Sequence, residues 1–364
     1  MKSKIAVIHF GRKGAGPAIA LEMARALNKQ GHDIIYYASS TVENRKLVEA
    51  EPFAVRFFDT YKSKLTYLKS VLLPKTIRKV ISSIDAETPD VVYSPMNDMW
   101  APFIFPKLKH TLRVKTIHDV GVHEGGNSIV NKWWNKTNFK DAEKFIILSQ
   151  KYVPKLLERG IDIKDIIVIP HAGFDYYAKI GSPFQCEGTG KQILFFGRID
   201  QYKGLDVLLD AMEVIIANVP DARLCIAGNG DISKYKVKLE KLHKNIDLHI
   251  RWIKDEEVAG FVSKCDFIIL PYTHATQSGV IPLAYAFAKP VVATDVGCLD
   301  EQIIDNFTGY LVPNRDITAI AAAAIDLLNN PDKAKLLGQN AQQFMSENLT
   351  WKAAAKIFSD FLHL

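Results

Sequence analysis

Cysteine is scarce in this chain: Cys186, Cys225, Cys265 and Cys298 are the only four among 364 residues. Their separations match neither a disulfide framework nor a metal-ligand spacing, so they read as buried thiols of a reducing cytoplasm. No apolar run is long enough to span a bilayer, and the one in MKSKIAVIHFGRKGAG is too short for a signal peptide. Gly11, Gly14 and Gly16 cluster without forming the Gly-x-Gly-x-x-Gly dinucleotide fingerprint, and no Asp-x-Asp ligand pair occurs. Internal repeats and low-complexity tracts are missing too. These gaps exclude secreted disulfide scaffolds, membrane spans and solenoids.

What is present fits a soluble globular protein. Apolar residues make up 48% and charged residues 24%, both ordinary values. A length of 364 residues exceeds what one core usually organises. Two domains are therefore expected, 1–180 and 181–349, joined by the polar, Gly- and Pro-bearing SPFQCEGTGK (182–191). The net charge of +6 hides an asymmetry: residues 1–180 carry 28 Lys+Arg against 18 Asp+Glu, an excess of +10, and the remainder carries −4. Such a basic first half points to an acidic partner or surface.

Short apolar, β-branched runs alternate with helical patterns throughout. Strands are expected at 4–10, 33–39, 54–59, 91–95, 113–119 and 144–149, then at 192–198, 222–228, 246–252, 266–272 and 290–294. This alternation predicts an α/β protein with parallel sheets and right-handed crossovers. Within YKSKLTYLKSVLLPKTIRKVISSI (61–84), six cations (Lys62, Lys64, Lys69, Lys75, Arg78, Lys79) occur without one acid. Leu65, Leu68, Val71, Leu72, Ile77, Val80, Ile81 and Ile84 supply an apolar side. Two readings stand: a segment lying on anionic lipid, or an ordinary helix with a solvated basic face.

The chain is organised around DFIILPYTHATQSGVIPLAYAFAKPVVATDVGCLDE (266–301). It reads as strand, polar loop, helix over 279–288, strand and tight turn, with Pro282 in the helix's first turn, where a missing N–H costs little. Exposed N–H groups at a helix start, at the carboxyl end of a sheet, suit an anionic ligand. The same pattern also describes an ordinary crossover. Upstream, QILFFGRIDQYKGLDVLLDAM (192–212) places Arg198 and Lys203 on a strand-to-helix loop. Arg forks two oxygens and Lys adds a compact charge, so both can serve one anionic group.

GRIDQYKGLDVLLDA, LCIAGNGD (224–231) and TQSGVIPLAYAFAKPVVATDVGCLDE together resemble the carboxy-terminal half of family-4 glycosyltransferases. These are retaining, nucleotide-sugar-dependent enzymes with the GT-B fold, two Rossmann-like domains facing a central cleft. The resemblance covers most of 190–350, and IPHAGFD is similar to the family's segment before the linker. It implies a second domain that holds the nucleotide, and a last helix, TWKAAAKIFSDFLHL (350–364), that crosses back to the first. Arg198, Lys203 and His118 become the implied catalytic residues, the histidine touching the donor sugar, although a strand-end histidine is often structural. Donor contacts fall to Gly14, Gly16, Gly197, Asn229, Ile253, Thr276, Gln277, Ser278, Gly279, Val280, Ile281 and Glu301. Arg12, Lys13, Asp119 and His123 fall on the acceptor side.

One departure matters. The family places two glutamates eight positions apart, for sugar hydroxyls and ribose, and the matching positions here are Thr276 and Ala284. Gln277, Ser278 and the N–H groups of Gly279, Val280 and Ile281 are left to hold sugar and diphosphate.

The implied reaction moves a sugar from a nucleoside diphosphate, UDP ahead of GDP, to a hydroxyl of a glycan or lipid-linked acceptor in bacterial surface polysaccharide or glycolipid synthesis. It needs no metal or other cofactor. Expected partners are the donor, that acceptor and an anionic membrane surface, with no nucleic acid. An inverting transferase would use Asp119 or His123 as base. A nucleotide-sugar epimerase would need more carboxylates than Asp119, Glu124 and Glu301. A non-catalytic partner subunit is favoured by the missing glutamates and opposed by Arg198, Lys203 and His118.

Overall fold

The structure, a computed structural model, describes residues 2–118, 139, 141–173, 175–180 and 191–364. Asp119, His123, Glu124, Cys186 and nearly all of the expected hinge lie outside them.

The chain forms two compact units. The first runs to Pro170 and takes back Trp351–Leu364, and the second spans His171–Thr350. The sequence puts the boundary ten residues later, after 180. It moves because the helix Asp175–Ile180 packs on the second unit's helices Asp255–Lys264 and Val280–Ala286. Tyr176 Oη donates to Asp255 at 3.4 Å, and the Gly173 N–H donates to the Leu349 carbonyl at 2.8 Å.

In the first unit, seven strands form one parallel sheet: β1 (Lys4–His9), β2 (Asp33–Ser39), β3 (Ala54–Phe58), β4 (Val91–Ser94), β5 (Leu112–Ile117), β6 (Lys144–Ile147) and β7 (Ile166–Val168). Their order is β3-β2-β1-β4-β5-β6-β7. The central strands are buried along nearly their whole length, as helices on both faces require. The helix Trp351–Leu362 returns to this unit. Phe358 packs against Tyr93 with ring centroids 4.7 Å apart, and Ser359 Oγ lies 3.0 Å from His32 Nε2.

The basic stretch 61–84 is not one amphipathic segment. Pro74 divides it into helices Lys64–Leu72 and Lys75–Glu87. On the second helix Ile77, Val80 and Ile84 are core residues. On the first, Leu65 is 76% and Leu72 70% exposed, with Leu68 and Leu73 also exposed.

The second unit has six parallel strands, β8 (Lys191–Phe196), β9 (Ala222–Ala227), β10 (Ile246–His249), β11 (Phe267–Leu270), β12 (Val291–Thr294) and β13 (Gly309–Val312), in the order β10-β9-β8-β11-β12-β13. One apolar core runs beneath the sheet through Ile193, Leu208, Met212, Phe267, Ala324 and Leu337. Edge strand β13 is not foreseen from sequence. It is short and opens on glycine because a Cβ at Gly309 would collide with the Val291 carbonyl. Among the described residues no helix is long and apolar enough to cross a membrane.

Candidate functional site

The second unit gathers its candidate residues at the carboxyl ends of its strands. After β8 the chain turns at Gly197 (φ +113°) and makes a short 3-10 turn over Gln201–Lys203. It enters the helix Leu205–Asn218 through Gly204. A Cβ at Gly204 would strike the Pro271 carbonyl, so glycine lets this turn lie against the end of β11. Across that contact the Thr273 N–H donates to the Tyr202 carbonyl at 2.8 Å.

This approach positions the two cations differently. Lys203 Nζ sits 3.8 Å from the centroid of the buried Tyr272 ring. Burial lowers the lysine's pKa, with the neighbouring Arg198 contributing in the same direction and Tyr202 and Asp200 opposing. Arg198 is exposed, with Nε 2.5 Å from Asp200 Oδ2. The lysine is a fixed charge on an aromatic platform; the arginine is a solvent-facing fork.

The platform leads on to the loop before the helix Val280–Ala286. Tyr272 Oη lies 3.3 Å from Ser278 Oγ. Ser278 is held on both backbone groups by one buried side chain. Gln302 Oε1 accepts from its N–H at 2.8 Å, and Gln302 Nε2 donates to its carbonyl at 3.1 Å. Lys203, Tyr272, Ser278 and Gln302 thus form one connected chain of contacts.

The N–H groups expected to face a ligand here are engaged within the loop itself. The Val280 N–H donates to Ser278 Oγ and the Ile281 N–H to the Ser278 carbonyl, both at 3.3 Å. Ser278 stands one residue ahead of the Gly279 N-cap, and its hydroxyl turns back to the chain just after it, as short hydroxyl side chains do. The helix also covers 280–286 rather than 279–288.

Beside Ser278, Gln277 Oε1 is buried and meets no hydrogen-bond partner among the described residues. A buried acceptor left unpaired is costly, and a ligand hydroxyl would satisfy it. Thr276 is buried. Ala284, the other position lacking the family's glutamate, is fully buried in the helix and faces the core.

The remaining candidates sit around this chain. Asn229 is exposed after β9, and its carbonyl accepts from the Ile199 N–H at 2.9 Å. Ile253 and Ile281 are buried, so each offers backbone only. Glu301 is exposed on the 3-10 turn Leu299–Glu301, next to Gln302.

In the first unit, β1 ends on His9, whose imidazole lies under the glycine loop. A Cβ on Gly11 or Gly16 would collide with its Nε2, so both glycines are needed for the backbone to lie on the ring. Gly14 has φ +78° and opens the helix Ala15–Lys29. His9 Nδ1 is 3.8 Å from Asp98 Oδ2, and Asp98 accepts from the Phe10 N–H and, at 2.8 Å, from the Trp100 N–H. Burial pushes the His9 pKa down; Asp98 opposes this and nearby His118 adds to it. His118 is itself buried at the end of β5, where Nε2 donates to the Pro95 carbonyl at 3.0 Å. Arg12 donates to the Lys62 carbonyl at 3.1 Å, and Lys13 is exposed.

Sequence reading misses His9, Asp98, Tyr272 and Gln302. Only the first carries a local signal, a histidine immediately before a glycine-rich loop.

The model of Glycosyltransferase Family 4 matches residues 18–172, and that of Glycosyl transferases group 1 matches residues 190–330. The chain belongs to this glycosyltransferase family. An uncharacterised glycosyltransferase of Methanocaldococcus jannaschii is 29% identical over 230 residues, 62% of this chain and 61% of that protein. A phosphatidyl-myo-inositol mannosyltransferase of Mycobacterium leprae is 33% identical over 146 residues, 39% of this chain and 38% of that protein. The chain thus spans about three fifths or less of the length of the curated relatives it matches.

Among solved structures, sucrose-phosphate synthase from Thermosynechococcus elongatus superposes with TM-score 0.74 at 21% identity, covering 100% of this chain and 98% of that one. HepE of Anabaena, solved with UDP and glucose, gives 0.73 at 17% identity, covering 99% of each chain. The chain therefore has the GT-B fold.

Proposed function

We propose that this family-4 glycosyltransferase moves a sugar from a nucleoside diphosphate, UDP ahead of GDP, to a hydroxyl of a glycan or lipid-linked acceptor, with retention at the anomeric carbon. The observation that carries the reading is the chain from Lys203 through Tyr272 and Ser278 to Gln302, which fixes a cation and a polar loop as one unit. As the anomeric C–O bond breaks, negative charge grows on the departing diphosphate. Lys203, already in place and partly desolvated, meets that charge without reorganising, and exposed Arg198 swings from Asp200 to fork it. This is charge neutralisation by side chains, so the reaction needs no metal.

Gln277 accepts a hydroxyl of the sugar through its buried Oε1. Val280 and Ile281 keep weak, long bonds to Ser278, which a phosphate oxygen can replace at small cost. With Ala284 in the core, ribose recognition falls to groups on the rim, Asn229 and Glu301. The UDP preference is supported by HepE, which was solved with UDP and with UDP-glucose.

The basic first unit suits a lipid-linked acceptor at an anionic membrane surface, and bacterial surface polysaccharide or glycolipid synthesis is the setting. The helix Lys64–Leu72 supports this, with exposed Leu65, Leu68 and Leu72 beside Lys62, Lys69 and Lys75. NMR of the product tests the central chemistry. An anomeric coupling constant matching the donor's is expected, and an inverted one replaces this mechanism with one using a general base.

A further inference from the structure

The second sheet carries a cluster of side chains that the transfer reaction does not use. Strands β9 and β10 pair in parallel with Cys225 opposite Asp247 and Ala227 opposite His249. Directly registered residues share a face, and residues two apart on a strand do too. Cys225, Asp247 and His249 therefore project from one side of the sheet at its edge, since β10 is outermost. One ligand atom from each lies within 4.8 Å of the other two. The imidazole Nε2 is 2.9 Å from Asp247 Oδ2, and the ring packs edge-on against Phe261 with centroids 4.9 Å apart. Cys225 is buried, and the Asp247 and His249 side chains are partly exposed, which gives an ion a way in from solvent.

We propose that Cys225, Asp247 and His249 form a binding site for a borderline-soft divalent cation of the zinc type. Thiolate and imidazole favour zinc over magnesium or calcium, which prefer cages of oxygen. Three protein ligands leave a fourth, solvent-facing position. A tetrahedral ion needs ligand atoms about 3.3–3.8 Å apart, so the widest pair closes by roughly 1 Å, within reach of side-chain rotation. The bound ion ties edge strand β10 to β9. Sequence spacing alone does not show the site, because β9–β10 pairing brings Cys225 to residues 22 and 24 positions later in the chain.

The test uses the full chain, stripped with chelator and titrated with zinc by calorimetry and with Co2+ by absorption. The expected results are a single-site zinc isotherm and a thiolate-to-cobalt charge-transfer band. In Cys225→Ser the band disappears, and in His249→Gln zinc affinity falls by roughly 10–100-fold or more. Asp247→Asn, at a partly exposed position, supplies a folded variant if Cys225→Ser unfolds, and it too weakens zinc binding. Circular dichroism confirms the fold of each. No zinc binding by the wild type, a cobalt spectrum without the thiolate band, or unchanged affinity in folded His249→Gln and Asp247→Asn overturns the assignment.

Discussion

Replacing Gln302 with leucine tests whether one buried side chain sets the shape of the loop proposed to hold the donor. The swap nearly conserves volume, and Gln302 is only 8% exposed, so packing changes little. Both bonds to Ser278 are lost. The Ser278 carbonyl still receives the Ile281 N–H, but its own N–H is left in a buried place without its acceptor. One unsatisfied buried donor costs about 1–3 kcal/mol, and a lost ordinary hydrogen bond about 0.5–1.5 kcal/mol. The total, about 1.5–4.5 kcal/mol, falls on the conformation of 276–281 rather than on the sheet. Since about 1.4 kcal/mol is tenfold in an equilibrium constant, donor affinity should fall roughly 10-fold or more. Calorimetry with UDP- and GDP-sugars reads this directly, with thermal melting as the control for global stability. Gln302→Glu should be intermediate and pH-dependent, because only its protonated form can donate to the Ser278 carbonyl. Wild-type donor affinity in Gln302→Leu, or a loss wholly accounted for by a lower melting temperature, would refute the reasoning.

Three further outcomes follow from the first unit. His9 has a depressed pKa when folded, so its neutral form contributes stability that is complete above its unfolded value of about 6.5. That stability is lost as pH falls from there toward the folded value; urea melts at about pH 7.5 and 5.5 should show a steeper loss in wild type than in His9→Asn. Lys115 is buried 3.6 Å from Asp141 and its ammonium pKa is pushed down to about 8 by that burial. Asp141→Ala should cost about 3–5 kcal/mol in denaturant unfolding, and Lys115→Met far less. On the helix Lys64–Leu72, Leu65→Ser with Leu72→Ser should release the protein from anionic vesicles. Turnover on a short soluble acceptor should be unchanged. Equal binding of both forms to neutral and anionic vesicles would leave the leucines without that role.

The parallel sheets were legible because their strands are buried on both faces and read as unbroken apolar runs; FIIL and VVAT are examples. β13 was not, because its glycine answers a demand made by Val291, eighteen residues upstream. Arg198 and Lys203 could be found from their loop, yet their different settings could not. The aromatic platform under Lys203 comes from Tyr272, on another strand's end. From sequence, Ser278 and the N–H groups of Val280 and Ile281 are expected to serve a ligand, and the fold also joins them to one another. Gln302 carries no local pattern, and its role exists only once β12 brings it back to residue 278. The basic stretch 61–84 was read whole because periodicity treats Pro74 as an interruption, whereas burial assigns the two halves to opposite fates.

The proposed reaction depends on Arg198 and Lys203 neutralising a departing nucleoside diphosphate. The measurement that tests it most directly is diphosphate release from a panel of UDP- and GDP-sugars by the wild type, Arg198→Ala and Lys203→Ala, with circular dichroism confirming each fold. Release by the wild type with at least one donor is expected. In each variant the rate should drop about 10²–10³-fold, roughly 3–4 kcal/mol. Wild-type rates in either folded variant, or no release from any donor, would contradict it.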